Sequence, residues 1–302
     1  MRPHLIAIVL NFRTPNDTVL AVTSLFASRR PVDRIVVVDN DSRENVREQL
    51  NALRRPVSYL LSGDNLGFAG GVNVGVRDAL ANGADHILLV NSDVIVPPDC
   101  IGRLERALDA PDVGIVGPTI VARADPGWIA SLGMSYSTTT GRMRHAGVGQ
   151  RLAPGGAVAS GEVDGVSGCL MLIRREVFEA IGLFHEDYFF SFEDLDFCLT
   201  ARRAGFRTVR AGDAIGYHEG GRSIGAAAVV RLYFGTRNHL LLAHRIGPHE
   251  RRYRTFLRTG VIMMLNLAHA LRASGGSVAA RVGAVVSGTR DYFLGRLGPP
   301  RM

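Results

Sequence analysis

The chain of 302 residues carries a formal net charge of +7 and has an ordinary globular balance of 46% hydrophobic and 21% charged residues. It contains no lysine, so all 35 basic side chains are arginine. This excludes a P-loop nucleotide site and a pyridoxal phosphate enzyme, because both need a lysine. The three scattered cysteines match neither a metal motif nor a disulfide framework, and we expect buried free thiols at Cys100, Cys169 and Cys198.

The first half of the chain alternates predicted strands with predicted helices. Apolar runs predict strands at 5–10, 34–39, 57–61, 87–91 and 113–117. The helices between them are predicted from Thr14 as the N-cap before Pro15, from Ser42 to about 53, at 71–82, and from Pro97-Pro98 to about 108. This alternation predicts right-handed βαβ units and an α/β fold with a mostly parallel sheet flanked by helices.

The second half of the chain has a different texture. Glycine, serine and threonine dominate residues 128–163, which predicts a hairpin insertion or a loop over the sheet edge. Beyond it we predict strands at 168–173, 208–210 and 214–218, and helices at 174–181, 193–204, 226–246, 249–272 and 277–294. The chain is therefore divided into an α/β domain, residues 1–225, and a helical C-terminal region, residues 226–302.

The positive charge is concentrated in the C-terminal region. From Arg245 onward ten arginines stand against two acids, so residues 1–244 are close to neutral. A basic segment of this kind suits an anionic partner such as a membrane surface, a nucleic acid or a polyanionic substrate, or it is simply a solvated face. The apolar run at 5–10 is too short for a signal peptide, and no run of eighteen apolar residues predicts a membrane-spanning helix.

Polar residues follow four of the predicted strands. These ends are Asn11, residues 39–42 (DNDS), residues 63–65 (GDN) and residues 91–93 (NSD). Ligands bind beyond the carboxyl ends of the strands in an open parallel sheet. Four polar ends in succession therefore predict one shared polar site.

A glycine-rich segment at residues 67–75 (GFAGGVNVG) is typical of a phosphate-binding turn, because glycine allows close backbone approach and a helix N-terminus attracts anions. A tight turn without a ligand is the alternative. The segment follows the third strand and not the first, which argues against a dinucleotide-binding fingerprint.

A divalent cation is a further expectation at the strand ends. Asp93 places a carboxylate just past a buried strand, as suits a Mg²⁺ ion that is also bound by phosphate oxygens. His218 could complete the site, and a histidine ligand would suit Mn²⁺ as well. Taken singly, Asp93 is equally a turn residue and His218 a loop histidine.

Acidic residues begin the helix predicted at 193–204. Ser191 and Asp194 fit a capping box, and acids in a first helical turn are favoured by the helix dipole. The same Asp194 can instead act as a general base in the site that His218 shares. Glu193 and Asp196 remain either functional or structural.

An ordered set of motifs resembles the family 2 glycosyltransferases over residues 4–245, above all the rhamnosyl- and galactofuranosyl-type transferases that build bacterial surface polysaccharides. The set comprises VVVDN at 36–40, NLGFAGGVNVG at 65–75, LLVNSDV at 88–94, GCLMLIRREVFEAIGLFHEDYFFSFEDLDFCLTARRAGF at 168–206 and HEGGRS at 218–223.

The resemblance implies a GT-A fold and a role for individual residues. Asp39 would bind the donor nucleoside, Asp93 would be the metal-binding acid of a DXD-type motif with His218 beside it, and Asp194 would be the catalytic base. The sequence departs from that motif at Asn91, where its first acid often lies. The other donor contacts implied or predicted are Asn11, Asn65, Gly67, Gly70, Asn73 and Asn91 itself. Possible acceptor or phosphate contacts are Glu193, Arg222 and Arg237, since arginine matches phosphate oxygens well.

The activity that the resemblance implies is inverting transfer of a sugar, best matched by rhamnose from dTDP-rhamnose, to a hydroxyl of a polysaccharide or glycolipid. The donor would carry dTDP or UDP, the cofactor would be Mg²⁺ or Mn²⁺, and no nucleic acid partner is expected. A sugar-nucleotide nucleotidyltransferase and a non-catalytic nucleotide-sugar-binding protein are the alternatives. Against the first, the strand at 5–10 leads to Asn11-Phe12-Arg13 and not to a basic, glycine-rich loop.

The predicted C-terminal helices offer a possible membrane contact. Residues 256–267 are apolar and flanked by arginines, which predicts an interfacial amphipathic helix within residues 248–302. A core helix or a homo-oligomer helix is the alternative. The expected location is the cytoplasm, with peripheral contact at the inner face of the cell membrane.

Overall fold

A ten-stranded mixed sheet organises the α/β part of the protein. The computed structural model describes residues 2–41, 46–153, 158–220, 228–247 and 252–300. Its strands are β1 Leu5–Asn11, β2 Arg34–Asp39, β3 Ser58–Leu61, β4 His86–Asn91, β5 Val94–Ile95, β6 Val113–Ala122, β7 Ile129–Ser131, β8 Met134–Tyr136, β9 Met143–His145, β10 Gly161–Glu162, β11 Leu170–Arg174 and β12 Arg207–His218. The main sheet has the order β10-β12-β6-β11-β4-β1-β2-β3, with β5 on β12 and β7 on β6, while β8 and β9 form a separate hairpin.

Nine α-helices accompany these strands in the described residues. They are α1 Pro15–Phe26, α2 Val46–Ala52, α3 Gly67–Ala81, α4 Cys100–Leu108, α5 Arg175–Ile181, α6 Glu193–Arg203, α7 Ala228–Ile246, α8 Arg252–Arg272 and α9 Val278–Phe293. A single 3₁₀ turn, Glu186–Tyr188, precedes α6. No helix in the described part of the chain combines the length and hydropathy that a bilayer crossing requires.

The strand directions bring the polar strand ends together. Strands β3, β2, β1 and β4 are parallel neighbours, so their carboxyl ends share one edge of the sheet. Strand β11 is antiparallel to β4, with Leu170 opposite Val90, so the start of β11 lies at that same edge. Strand β12 ends there too, because it runs parallel to β6 and pairs His218 with Val94 of β5.

Both faces of the sheet are covered, which explains why β1 reads as a continuous apolar run. Its alternate residues divide between two cores. Leu5, Ala7 and Val9 belong to the core that also contains residues of α1, α2 and α4. Ile6 and Ile8 belong to the core that also contains residues of α3, α5 and α6.

Several elements differ in detail from the sequence predictions. Helix α3 begins at Gly67 and not at residue 71. Strand β12 is one strand with a register shift between Ala211 and Ile215, where two short strands were predicted. Residues 128–163 contain the β8–β9 hairpin and β7, in line with the hairpin interpretation. Thr14 occupies the N-cap of α1 but caps with no side-chain hydrogen bond, since its hydroxyl lies 2.7 Å from the hydroxyl of Ser92.

The three C-terminal helices match the predicted ones, and α7 packs directly against the α/β part. Leu195 and Leu199 of α6 share an apolar cluster with Leu241 and Leu242 of α7. Ser42 and the predicted domain boundary at 225/226 lie outside the described residues.

Candidate active site

A cavity of about 190 Å³ opens at the edge of the sheet where the strand ends meet. It lies between the starts of β11 and α6, the β8–β9 hairpin and the end of β12. Its polar lining residues are Asn91, His145, Ser167, Ser191, Glu193, Asp194 and His218. Its apolar lining residues include Phe68, Met134, Met143, Phe190, Phe192 and Leu195.

Asp194 is held at this cavity by backbone amides. The Gly168 N–H donates to Asp194 Oδ2 at 3.0 Å, and the Leu195 N–H donates to Oδ1 at 2.8 Å. Burial raises the pKa of Asp194 above its usual value, although these two amides act in the opposite direction. A fixed carboxylate with a raised pKa is suited to accept a proton from a bound hydroxyl.

Glu193 is the more deeply buried member of the acidic pair. Burial first, and the charge of Asp194 second, raise the pKa of Glu193 to about 8. Its Oε2 atom is buried and has no hydrogen-bond partner among the described residues. The raised pKa favours the neutral form of Glu193 at neutral pH.

The predicted capping box before Asp194 is wrong. The N-cap of α6 is Phe192, and Ser191 lies one residue earlier with a φ of 72°. Phe189 and Phe192 also have positive φ values, of 61° and 77°. Non-glycine residues in this region cost on the order of 1–3 kcal/mol each and persist only where their surroundings hold them. Tertiary contacts, and not a local cap, therefore set the start of α6.

Asp93 and His218 form the second polar element. His218 Nε2 lies 3.2 Å from Asp93 Oδ1, and the Asp93 side chain is only 4% exposed. Burial acts to raise the pKa of Asp93, but the hydrogen bond and charge of His218 outweigh it, so the pKa is lowered. The register of β12 with β5 explains the meeting, since His218 pairs with the residue after Asp93.

This oxygen and nitrogen pair fits a divalent cation. The described residues contain no group of three histidine, cysteine or acidic side chains that could hold a metal ion. Asp93 and His218 would thus supply two ligands and leave the others to phosphate oxygens or water, as is usual for Mg²⁺ and acceptable to Mn²⁺.

The strand ends at β1 and β2 form a buried hydrogen-bond network. Asn11 Nδ2 donates to Asp39 Oδ1 at 3.0 Å, and the Tyr59 hydroxyl donates to Asp39 Oδ2. Asn40 bonds the next turn, because its Nδ2 donates to the Gly67 carbonyl at 2.8 Å. Asn65 Oδ1 accepts from the Gly67 N–H at 3.0 Å. These side chains are where the sequence placed them, on the side of the sheet edge next to Asn91.

The glycine segment forms the first turns of α3. A Cβ atom at Gly70 would lie 2.7 Å from Leu66 Cβ, so this glycine serves close packing. Asn73 is buried, and its side chain exchanges two hydrogen bonds with the Phe184 backbone, at 2.9 and 3.0 Å. Neither Gly70 nor Asn73 lines the cavity, to which this segment contributes Phe68.

Arg237 does not face the cavity. It is fully buried, and its guanidinium donates to the carbonyls of Gly298, Asp187 and Tyr188 and to the Asn238 side chain. The predicted phosphate contact is therefore wrong for Arg237. Arg222 lies outside the described residues.

Several cavity residues could not be predicted from the sequence pattern. His145 stands at the end of β9 in a stretch without periodicity. Burial raises the pKa of Asp194, and the charge of His145 acts in the opposite direction. Gly168 acts through its backbone N–H, which no side-chain pattern can reveal. Cys169 is an inert thiol here, because burial raises its pKa to about 12.

A larger cleft of about 580 Å³ lies away from these groups, near the amino ends of β1 and β2. Five arginines line it, together with Asp99. Their charges are balanced locally, as in the pairs of Arg29 with Asp99 and Arg30 with Glu105. It lacks the Glu193–Asp194 pair and the His218 side chain of the smaller cavity.

Comparison with known proteins gives consistent relatives. The family model described as "Glycosyltransferase like family 2" matches residues 3–234. The low-salt glycan biosynthesis hexosyltransferase Agl10 of Haloferax volcanii is 28% identical over 205 residues, which are 67% of this chain and 63% of that protein. The match thus spans less than two thirds of the Haloferax protein.

Two further relatives match at similar identity. The dTDP-rhamnosyl transferase RfbF of Shigella flexneri is 25% identical over 219 residues, 70% of this chain and 71% of that protein. The N-acetylglucosaminyl-diphospho-decaprenol L-rhamnosyltransferase of Mycobacterium tuberculosis is 29% identical over 232 residues, with 68% and 72% covered.

Solved structures share the fold at low sequence identity. The mannosyltransferase PcManGT from Pyrobaculum calidifontis, in complex with GDP-Man and Mn²⁺, matches with a TM-score of 0.62 and 16% identity, covering 98% of this chain and 88% of that one. GalNAc-T7 with UDP, GalNAc and Mn²⁺ matches with a TM-score of 0.59 and 14% identity, covering 86% and 54%.

Proposed function

We propose that this chain, which belongs to the glycosyltransferase-like family 2 and has the GT-A fold, is an inverting, metal-dependent sugar transferase. The donor is a nucleoside-diphosphate sugar, best matched by dTDP-rhamnose, and the acceptor is a hydroxyl of a polysaccharide or glycolipid. The names of the Shigella and Mycobacterium relatives support the choice of sugar.

The observation that carries the proposal is the meeting of two chemistries at one cavity. Asp194, with its carboxylate fixed by the Gly168 amide, lines the cavity that His218 also lines. His218 in turn contacts Asp93. A base for the acceptor and a cation site for the donor diphosphate are the two elements that such a transfer needs.

The chemical step follows from the position of Asp194. Its carboxylate takes the proton of the acceptor hydroxyl as that oxygen forms a bond to the anomeric carbon of the donor sugar. The bond from this carbon to the diphosphate oxygen breaks on the opposite face, and the nucleoside diphosphate leaves with the bonding electrons. A single displacement of this kind inverts the anomeric configuration.

Asp93 and His218 would hold the divalent cation, which supplies Lewis-acid stabilisation of the charge on the leaving diphosphate. Asn91 lines the same cavity and replaces the first acid of the usual motif, so the protein offers the cation one carboxylate fewer there. Asn65 and Gly67 shape the adjoining turn through their mutual hydrogen bond. Asp39, whose carboxylate accepts from Asn11 and Tyr59, is the proposed contact to the nucleoside.

The test is release of nucleoside diphosphate from a panel of dTDP-, UDP- and GDP-sugars, with Mn²⁺, with Mg²⁺ and with chelator. We expect acceptor-dependent release that is largest with dTDP-rhamnose and is lost with chelator. Synthesis of a nucleotide sugar from a sugar phosphate and a nucleoside triphosphate would instead establish a nucleotidyltransferase. Donor binding without turnover on any acceptor would contradict a transferase.

An exposed apolar face on α8 supports the membrane contact as part of the proposed function. Its side chains, with their exposed fractions, are Tyr253 (54%), Phe256 (79%), Leu257 (61%), Met264 (65%) and Leu271 (60%). Their spacings of three, four and seven residues place them on one stripe of the helix, roughly 27 Å long at 1.5 Å per residue.

The charge around this face selects an anionic lipid surface as its occupant. Helix α8 contains four arginines and no acid, and Arg254 and Arg272 are exposed at its two ends. A basic amphipathic helix binds at the headgroup boundary of anionic membranes. A lipid-linked acceptor would then be presented at the same surface.

Flotation with vesicles tests this face without removing it. We expect the protein to float with vesicles that contain phosphatidylglycerol and to remain behind with phosphatidylcholine alone. The triple variant Phe256→Ser, Leu257→Ser, Met264→Ser should lose flotation, whereas Leu61→Ser, an equally exposed apolar residue on β3, should keep it. The face would instead belong to an interface with a second copy if the wild-type protein does not float and is a dimer by light scattering, while the triple variant is a monomer.

A further inference from the structure

The loop that leads into α6 has an unusual backbone for its sequence. The described residues include five non-glycine residues with positive φ, and three of them are Phe189, Ser191 and Phe192. None is an asparagine or aspartate, the types that tolerate this region best. The loop therefore holds a conformation that its own sequence disfavours, directly before the acidic pair.

Each carbonyl from Tyr188 to Ser191 accepts a hydrogen bond from a group elsewhere in the chain. Asn238 Nδ2 lies 2.9, 2.6 and 3.0 Å from the carbonyl oxygens of Tyr188, Phe190 and Ser191. The Phe68 N–H, at the start of α3, donates to the Phe189 carbonyl at 2.7 Å. The partners of the loop are therefore remote in sequence, and most of them come from α7.

Arg237 adds the next contacts on the same helix. Its Nη2 donates to the carbonyls of Asp187 and Tyr188 at 3.2 and 2.9 Å, and its Nη1 donates to the Gly298 carbonyl at 2.7 Å. Its Nε donates to Asn238 Oδ1 at 3.0 Å, which orients the amide so that the NH₂ group faces the loop.

Aromatic stacking completes the attachment of the loop to α7. The Phe189 ring stacks on Phe234 with centroids 5.4 Å apart, and the Phe192 ring stacks on His239 at 5.1 Å. Burial lowers the pKa of His239, which keeps its ring neutral beneath Phe192.

We propose that Arg237 and Asn238 are positioning residues, which hold the left-handed loop 189–192 so that the Asp194 carboxylate meets the Gly168 amide and faces the acceptor. The role rests on the proposed function, since it gives Asp194 its task as base. The role of Arg237 therefore differs from the phosphate contact predicted from the sequence, because its guanidinium binds backbone carbonyls.

The consequence is that the C-terminal helices form part of the catalytic apparatus without touching substrate. An error of about 1 Å in the position of a reacting group can cost on the order of 100-fold in rate. Loss of the Arg237 and Asn238 contacts should therefore lower kcat and leave donor affinity nearly unchanged, because Asp93 lies just before β5 and His218 ends β12.

The test compares Asn238→Ala and the milder Arg237→Lys with Leu240→Ala. Leu240 is a buried α7 residue that packs on Ala243 and Ile262 and serves as the control for general destabilisation. Below the melting temperature of every variant, we expect kcat to fall on the order of 100-fold in Asn238→Ala and less in Arg237→Lys. The donor KM should stay within about twofold, and Leu240→Ala should keep kcat within about twofold of wild type.

A second readout does not depend on activity. The Gly168 amide donates to Asp194, so its hydrogen exchange measured by NMR should accelerate in Asn238→Ala and not in Leu240→Ala. Unchanged exchange together with unchanged kcat in folded Asn238→Ala would overturn the proposal, as would an equal loss of kcat in Leu240→Ala. If the wild-type protein transfers no sugar at all, the proposed function fails, while exchange at Gly168 still tests the Arg237 and Asn238 contacts. Should Asn238→Ala not fold, the same two readouts on Arg237→Lys decide.

Discussion

The two sides of the candidate site are built from different kinds of contact. On the donor side, defined here as Asn11, Asp39, Asn91 and Asp93, each side chain comes at or just after the end of a buried strand. On the base side, defined as loop 187–192 with Glu193 and Asp194, the position depends on α7 and on the start of α3. Strand ends place a side chain through local pairing, whereas the base is placed through contacts between segments 47–50 residues apart.

This difference predicts that the two sides fail in different ways when they are changed. A change on the donor side should weaken donor binding. A change on the base side should slow transfer or destabilise the loop, with little effect on donor affinity.

The largest effect is expected from Asp194→Asn. The amide cannot accept the proton, so transfer should fall by about 10²- to 10⁴-fold, the usual contribution of a positioned base. Released nucleoside diphosphate is the measurement. Asp109→Asn, an exposed acid after α4, is the matched control and should be silent.

Asp93→Ala should break the donor side. Loss of a direct cation ligand should weaken metal-dependent donor binding by at least about 100-fold, more than a change in an outer ligand shell usually does. Calorimetry with and without Mn²⁺ measures it. Asp99→Ala removes a half-exposed acid in the larger cleft, whose pair with Arg29 is worth little, and it should bind the donor normally. Equal donor affinity in Asp93→Ala and wild type with metal present would rule out this role.

Gly67→Ala probes the contact between the start of α3 and loop 187–192. Gly67 has a φ of 72°, and an added Cβ would overlap the Phe189 carbonyl oxygen and ring. We expect a loss of on the order of 3 kcal/mol in the free energy of unfolding, from backbone strain and overpacking together. Gly83→Ala has a similar φ of 74° but no atom near its Cβ, so it isolates the backbone strain, about 1–2 kcal/mol. Similar losses in both variants would mean that the Phe189 contact matters little.

Glu193→Gln should alter how stability depends on pH. The pKa of Glu193 is raised from 4.5 to about 8 in the folded protein, chiefly by burial. The folded state thus binds more protons than the unfolded state between these values. The stabilisation from protonated Glu193 is complete below about pH 4.5 and is lost as the pH rises through 8. Melting temperatures should therefore fall less steeply from about pH 5 to about pH 9 in Glu193→Gln than in wild type or in the exposed-acid control Glu179→Gln. Parallel curves for all three proteins would contradict the buried, protonated state.

The smallest effect is expected from Ser191→Ala. Removal of a true N-cap hydroxyl costs about 1 kcal/mol. Ser191 instead lies before the N-cap residue Phe192, so we expect a change below about 0.5 kcal/mol in the free energy of unfolding, typical of a site without such a feature. A loss near the capping value in denaturant titration would restore the capping box.

The donor side could be predicted well from the sequence because strand patterns are local. The apolar runs located β1, β2 and β4 within one residue, and the parallel arrangement then grouped Asn11, Asp39 and Asn91. The meeting of His218 with Asp93 was a hypothesis from the chemistry of cation ligands and from the family resemblance. No strand pattern predicted it, since it depends on the antiparallel pairing of β12 with the two-residue strand β5.

The base side could be predicted only in part. The acids of α6 were visible, but positive φ values at Phe189 and Phe192 have no local sequence signature. Arg237 was predicted as a phosphate contact because arginine matches phosphate oxygens well. Arg237 lies three residues after Phe234 and four before Leu241, which places it on the buried face of α7. This spacing is the signal in the sequence that could have predicted its burial.

Donor affinity in Asp194→Asn tests the separation of the two sides most directly. Calorimetric titration of this variant with dTDP-rhamnose and Mn²⁺, beside its transfer rate, gives both quantities on one protein. The account predicts donor affinity within about twofold of wild type together with a loss of transfer of about 10²- to 10⁴-fold. Near-normal transfer, or a loss of donor affinity as large as that of Asp93→Ala, would contradict it.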